Sequence, residues 1–197
     1  MATGRQIQND YSPLFQPGSI GDLELKNRII MAPMGNALAD DKGNVTDALL
    51  DYYRARAKGG AGLIVTQCVS INEPDMMPYS LSLHDDSYIA GMKKLVDTIH
   101  DYDAKVSIQL MHPGLLLLLI PGLPKNMTIK VPSLIPLLGD DKPYEVMTAA
   151  HIGRIIDDFA LTAARALDTA SPRSLWLWLE KITFAESATC SMIYMNM

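Results

Sequence analysis

Gln109 and His112 stand at the end of an apolar run, within Gln109-Leu110-Met111-His112-Pro113-Gly114, where a buried strand would emerge from a core. A carboxamide presents a donor and an acceptor in one plane. That suits the edge of a flat, polar ligand. A second ending of this kind is Asn27-Arg28-Ile29-Ile30-Met31-Ala32-Pro33-Met34, followed by Gly35, and a third is Leu63-Ile64-Val65-Thr66 leading into Gln67 and Cys68. Plain alternatives exist for each. Met31-Ala32-Pro33-Met34 also reads as a strand and its breaker, and a strand-end amide often bonds only to backbone. A free cysteine is commonly a small buried hydrophobe, and no base can be placed beside Cys68, so it is not expected to act as a nucleophile.

The elements that must position these residues follow from the hydrophobic pattern. Short apolar runs alternate with longer amphipathic stretches, which predicts βα units and a parallel sheet, an α/β fold. Residues 20–26 predict a hairpin turning at Gly21-Asp22, and 28–32 a buried strand stopped by Pro33. Thr46 is placed to cap a helix carrying Leu49, Leu50, Tyr53 and Ala57 on one face, ended by Gly59-Gly60. Strands are expected at 63–66 and 105–110. Between them a helix starting at Asp85 or Asp86 presents Ile89, Met92, Leu95, Val96 and Ile99. The clearest helix follows Thr148, with Ile152, Ile155, Ile156, Phe159, Ala163 and Leu167 at helical spacing. The connection 113–147 is long enough to be functional or mobile. Its uncharged run 115–120 could line a pocket, but is expected rather to be an exposed, sticky loop. A fourth strand is expected near 175–179. Three to four such units make a partial (β/α)8 barrel, since eight units take ~250 residues and place the site at the strands' carboxyl ends. An incomplete sheet leaves open edges.

Joined by Leu14-Phe15-Gln16-Pro17-Gly18, these blocks resemble the N-terminal part of the old yellow enzyme, or NADH:flavin oxidoreductase, family, in its enoate and 2,4-dienoyl-CoA reductase-like branch. The resemblance runs from about Tyr11 to Leu167. Val131-Pro132-Ser133-Leu134-Ile135-Pro136, Met147-Thr148 and the stretch 158–166 also fit its pattern. It implies FMN as cofactor and NAD(P)H as reductant. It also implies that Ala32, Pro33, Met34 and Gly35 lie against the flavin, with Gly35 near N5. Cys68 then stands where a small residue lets the backbone approach the ring, and Gln109 meets the pyrimidine edge. His112 would support the site by hydrogen bonding from behind. Two departures stand out. His112-Pro113-Gly114-Leu115 lacks the arginine that usually follows His-x-Gly, removing a guanidinium suited to a phosphate or carboxylate. The family's fourth strand carries a His pair, or His and Asn, that polarises the substrate carbonyl, whereas this chain reads Asp168-Thr169-Ala170-Ser171-Pro172-Arg173-Ser174-Leu175-Trp176-Leu177-Trp178. No histidine follows His151, so no residue is assigned a catalytic role.

Composition narrows the class. The chain has 197 residues, 48% of them hydrophobic, and a formal net charge of −5, so no basic surface argues for nucleic acid. Cys68 and Cys190 are far apart and in no metal spacing, which fits a reducing, cytoplasmic setting and predicts no metal. No apolar run approaches the ~20 residues of a membrane span, and the polar start shows no signal peptide. The expected organisation is a disordered start at 1–10, barrel at 11–170, and a divergent tail at 171–197 of the sort that splicing, a frameshift or a truncated gene produces. The expected function is an FMN-binding ene-reductase-type oxidoreductase, impaired, acting on a small α,β-unsaturated carbonyl. The alternative is a non-catalytic barrel fragment that self-associates through its open edges or binds a partner.

Overall fold

The computed structural model describes residues 10–119, 128–133, 144–169, 175–180 and 190–193. After a 3-10 turn at Ser12–Phe15, strands β1 (Gly18–Ile20) and β2 (Leu23–Leu25) form an antiparallel hairpin with Ser19 opposite Glu24. The turn falls at Gly21-Asp22 as expected, and Gly21 adopts φ +56°, open to a residue without Cβ at little cost. Leu23 and Leu25 pack on Leu63, so the hairpin closes the end at which the following strands begin.

Those strands are β3 (Ile30–Met31), β4 (Leu63–Ser70), β5 (Leu81–Ser82) and β6 (Lys105–Met111). A separate parallel pair, β7 (Ile129–Val131) and β8 (Tyr144–Val146), lies in the connection after β6, and β9 (Leu175–Glu180) and β10 (Cys190–Ile193) follow. The main sheet runs β10-β9-β6-β4-β3, parallel from β3 to β9, with β10 antiparallel at its edge and β5 paired to the end of β4. Helices α1 (Asp47–Lys58), α2 (Ile89–His100) and α3 (Ala149–Asp168) connect successive strands of that parallel run. Each strand thus lies beside the one before it. This is the progression of a (β/α)8 barrel, of which the chain forms a part.

Local chemistry accounts for the helix boundaries. Thr46 Oγ1 accepts the Leu49 N–H at 3.2 Å, and Gly59-Gly60 ends α1, with Gly60 at φ +102°. Asp85 caps a 3-10 turn, Asp86–Tyr88, that leads into α2. Thr148 and His151 form a reciprocal cap on α3. The core is the layer between helices and sheet: Leu49, Leu50 and Tyr53 of α1, Met92, Leu95, Val96 and Ile99 of α2, and Val106, Ile108 and Leu110 of β6.

Four expectations are corrected. Strand β3 pairs over two residues rather than 28–32, because Arg28 and Ile29 are still engaged with Leu14 and the Gly62 turn. Strand β4 continues past Thr66 to Ser70. The leucine run is not an exposed loop: Gly114–Leu119 form a 3-10 turn against β7, and Leu115 and Leu117 are buried alongside Ile129 and Val131. Lastly, Ile155, Phe159 and Ala163 of α3 meet the core, but Ile152 and Ile156 are 42% and 59% exposed. The expectation for residues 1–9 and most of the tail from 170 onward lies outside the described residues.

Candidate functional site

Because β3, β4 and β6 are parallel neighbours, their carboxyl ends share one edge of the sheet, where ligands of such folds bind. Side chains alternate along a strand. Val106, Ile108 and Leu110 of β6 enter the helix-packed core, so Gln109 projects from the opposite, inward face, only 5% exposed.

Strand β4 reaches that face by an irregular route. Ile64 and Val69, five residues apart, both belong to the helix-packed core, which strict alternation forbids. The register explains it. Val65 stands opposite Ser107 and Cys68 opposite Gln109, three steps along β4 against two along β6. One extra residue is therefore accommodated at Thr66-Gln67, and a bulge of this kind re-aims everything after it. Its effect is to turn Cys68 inward. The Cys68 thiol donates to Gln109 Oε1 at 3.8 Å, a long contact in keeping with a weak S–H donor.

The bulge is held from both sides. Thr66 Oγ1 accepts the Gln109 N–H at 3.3 Å, and Tyr53 Oη on α1 accepts the Gln67 N–H at 2.6 Å. Tyr53 is fully buried, and burial pushes its phenol above the usual range, so it stays neutral. His112, just past β6, is buried with Nε2 3.2 Å from Asp75 Oδ2, an ion-pair distance approached too obliquely for a hydrogen bond. The Asp75 N–H in turn donates to Asn72 Oδ1 at 3.1 Å, and Asn72 Nδ2 donates to Asp158 Oδ2 of α3, also at 3.1 Å. Tyr53 and Asp75 are not marked by any local motif. Tyr53 reads as one more core position on α1, and Asp75 sits in an irregular loop whose approach to His112 is purely tertiary.

The first strand's tip completes the edge. Pro33 is half-buried, whereas Ala32, Met34 and Gly35 are exposed, Met34 to 55%. Of the predicted residues the structure therefore joins Cys68 to Gln109 directly and sets His112 behind them, while Met34 turns its side chain to solvent. Three observations bear on whether a flat, polar ring fits. A Cβ built on Gly35 meets nothing within 4 Å, so the space over the tip of β3 is open. One residue on, Asn36 Nδ2 is buried with no protein acceptor, a donor that a ligand can satisfy. Gln109 adds a nearly buried carboxamide. Such an edge can grip a heteroaromatic system by hydrogen bonds. Among the described residues no cluster of His, Cys, Asp or Glu could hold a metal ion, and no helix is long and apolar enough to cross a membrane.

Comparison with known proteins bears on the family and the fold. An NADH oxidase of Thermoanaerobacter brockii is 40% identical over 157 residues, covering 78% of this chain and 24% of that protein. An NADPH dehydrogenase of Listeria monocytogenes is 37% identical over 158 residues, covering 79% of this chain and 45% of its own length. Among solved structures, the old yellow enzyme homologue of Zymomonas mobilis superposes with TM-score 0.67 at 26% identity, covering 83% of this chain and 47% of that one. A 2-naphthoyl-CoA reductase complex gives TM-score 0.72 at 27% identity, over 85% and 27% respectively. The chain thus spans less than half the length of these relatives. Residues 13–171 carry the family match, which takes in all three strand tips, Cys68, Gln109 and His112. The match spans well over half of the sequence and accords with the partial-barrel topology: the chain belongs to the NADH:flavin oxidoreductase / NADH oxidase family, whose members use FMN with NAD(P)H as reductant.

Proposed function

We propose that this chain is the flavin-gripping opening of an ene-reductase-type oxidoreductase, with residues 11–170 as the barrel part and 171–197 as a divergent tail. The observation that carries the reading is the Cys68–Gln109 contact on the inward face, at the edge shared by the three strand tips. Ala32, Pro33, Met34, Gly35, Cys68 and Gln109 are the cofactor-holding set in this reading. Backbone at Pro33 and Met34 lines the ring, the open space over Gly35 admits it, and the Gln109 carboxamide bonds its polar edge. Cys68 keeps the neighbouring backbone accessible, and His112, steadied by Asp75, backs the strand from which Gln109 projects. FMN, when bound, supplies the two-electron chemistry that links NAD(P)H to the double bond of an α,β-unsaturated carbonyl. The protein's part is orientation and stabilisation of developing negative charge on the carbonyl oxygen. Strand β9, Leu-Trp-Leu-Trp-Leu-Glu, supplies neither histidine nor asparagine for that last task, so turnover is expected to be weak. A purified chain that is yellow and oxidises NAD(P)H supports the reading.

A second reading is a non-catalytic barrel segment that self-associates. Exposed Ile30 on the two-residue edge strand and exposed Ile152 and Ile156 on α3 favour it. It predicts a colourless sample whose oligomeric state rises with concentration in sedimentation, and a yellow monomer contradicts it.

A further inference from the structure

We propose that Tyr53 is a positioning residue for the flavin-facing edge: its hydroxyl pins the extra residue of β4 and so holds Cys68 on the face of Gln109. The inference rests on the flavin-gripping reading above. Its foundation is the parity of the strand. With a regular ladder, Ile64, Thr66, Cys68 and Ser70 would share one face, and the thiol would enter the helix-packed core. Instead Val69 joins Ile64 in that core, and Cys68 stands opposite Gln109. A bulge breaks the ladder and leaves an N–H without a strand partner. Here that N–H is Gln67's, and the Tyr53 oxygen receives it at 2.6 Å inside a region closed to water. On the other side Thr66 Oγ1 receives the Gln109 N–H at 3.3 Å. The two hydroxyls therefore clamp the same two-residue bulge, one from α1 and one against β6.

The next residue supplies a control. Tyr52 lies edge-to-face with Tyr53 at 5.2 Å and stacks under the Arg56 guanidinium at 3.6 Å, half-buried against the core, while the bulge's Gln67 N–H goes to Tyr53. Tyrosine at position 53 thus does what phenylalanine there cannot. An equally apolar ring would fill the core but leave a buried donor unsatisfied beside the site.

The test compares the full 197-residue wild type with Tyr53→Phe, Tyr52→Phe and Thr66→Val. It follows Gln67 amide hydrogen exchange by NMR and FMN affinity by quenching of flavin fluorescence. The expectation for Tyr53→Phe is Gln67 exchange about tenfold faster and FMN binding about tenfold weaker, the scale of one lost buried hydrogen bond. Thr66→Val is expected to weaken FMN similarly, and Tyr52→Phe to change neither readout by more than about twofold, because the Gln67 N–H bonds Tyr53 instead. Wild-type FMN affinity in Tyr53→Phe overturns the proposal. Should circular dichroism show Tyr53→Phe unfolded, wild-type affinity in Thr66→Val overturns it instead. If the wild type binds no FMN, the flavin-gripping reading falls by itself. The pin is then judged by exchange alone: acceleration at Gln67 in Tyr53→Phe sustains it, and an unchanged rate overturns it.

Discussion

Helices α2 and α3 occupy equivalent places in successive βα units, yet the protein treats them differently. Helix α2 is twelve residues long and fully buries Met92, Leu95, Val96 and Ile99, with Ile89 half-buried beside them. Helix α3 has twenty residues and the stronger apolar periodicity, yet among its side chains only Thr162 and Ala166 are fully buried. The difference lies in neighbours. Helix α2 is flanked by α1 on one side and α3 on the other, whereas α3 meets α2, β6 and β9. The Arg165–Asp86 ion pair at 2.7 Å marks the flank of α3 turned toward α2. Ile152 and Ile156 lie on the flank turned away, where a complete barrel would seat its next helix. An amphipathic pattern declares which face a helix offers, and the surrounding architecture decides whether that face is covered.

The contrast can be broken at its strongest point first. Leu95→Ala removes a fully buried side chain of α2 and is expected to cost about 2–5 kcal/mol in urea unfolding. A loss below about 1 kcal/mol would show the α2 layer to be loosely packed. Next comes the buried side of α1. The phenol of Tyr53 titrates higher in the folded chain than its unfolded value near 10, so its stability contribution is complete below that pH and is lost as pH rises beyond it. Wild-type stability measured from pH 9 to 11 is therefore expected to approach that of Tyr53→Phe above pH 10, by up to about 1.4 kcal/mol per pH unit. Parallel curves would show that the hydroxyl is not buried. A smaller effect belongs to the start of α3. Thr148→Ala breaks the reciprocal cap with His151 and should cost about 1 kcal/mol by thermal unfolding. Smallest of all, Ile156→Ala on the uncovered flank is expected to stay within about 0.5 kcal/mol. A loss comparable to that of Leu95→Ala would mean this flank is covered, and the contrast between the two helices would vanish.

Much of the fold was legible because its punctuation is local. Thr46, Asp85 and Thr148 bond backbone a few residues away, Gly21 and Gly60 adopt left-handed conformations, and the period of Leu95, Val96 and Ile99 needs no partner to be seen. The candidate site was legible only as strand endings. Gln109 and Cys68 were recognisable as residues at such tips, but their contact depends on the bulge at Thr66-Gln67. Nothing in the run Leu63–Ser70 announces that bulge. It exists because a hydroxyl fourteen residues earlier, on a helix, accepts the displaced N–H. The leucine run misled for the related reason that its cover comes from Ile129 and Val131, strand residues further along the chain. The Asp75–His112 pair likewise joins residues that only the folded loop brings within 3.2 Å. Local signals state where elements start and stop, while long-range partners decide which way a strand's last residues point.

In the proposed function, the carboxyl ends of β3, β4 and β6 form a grip for FMN. It is tested most directly by equilibrium titration of the recombinant chain with FMN, reading the visible absorbance of the protein-bound fraction, beside the Gln109→Ala variant. Saturable binding of one FMN per chain is expected for the wild type, and at least about tenfold weaker binding for Gln109→Ala, as befits a buried amide lost to a polar ligand. Equal affinity of the two proteins, or no bound flavin at all in a folded wild type, would contradict it.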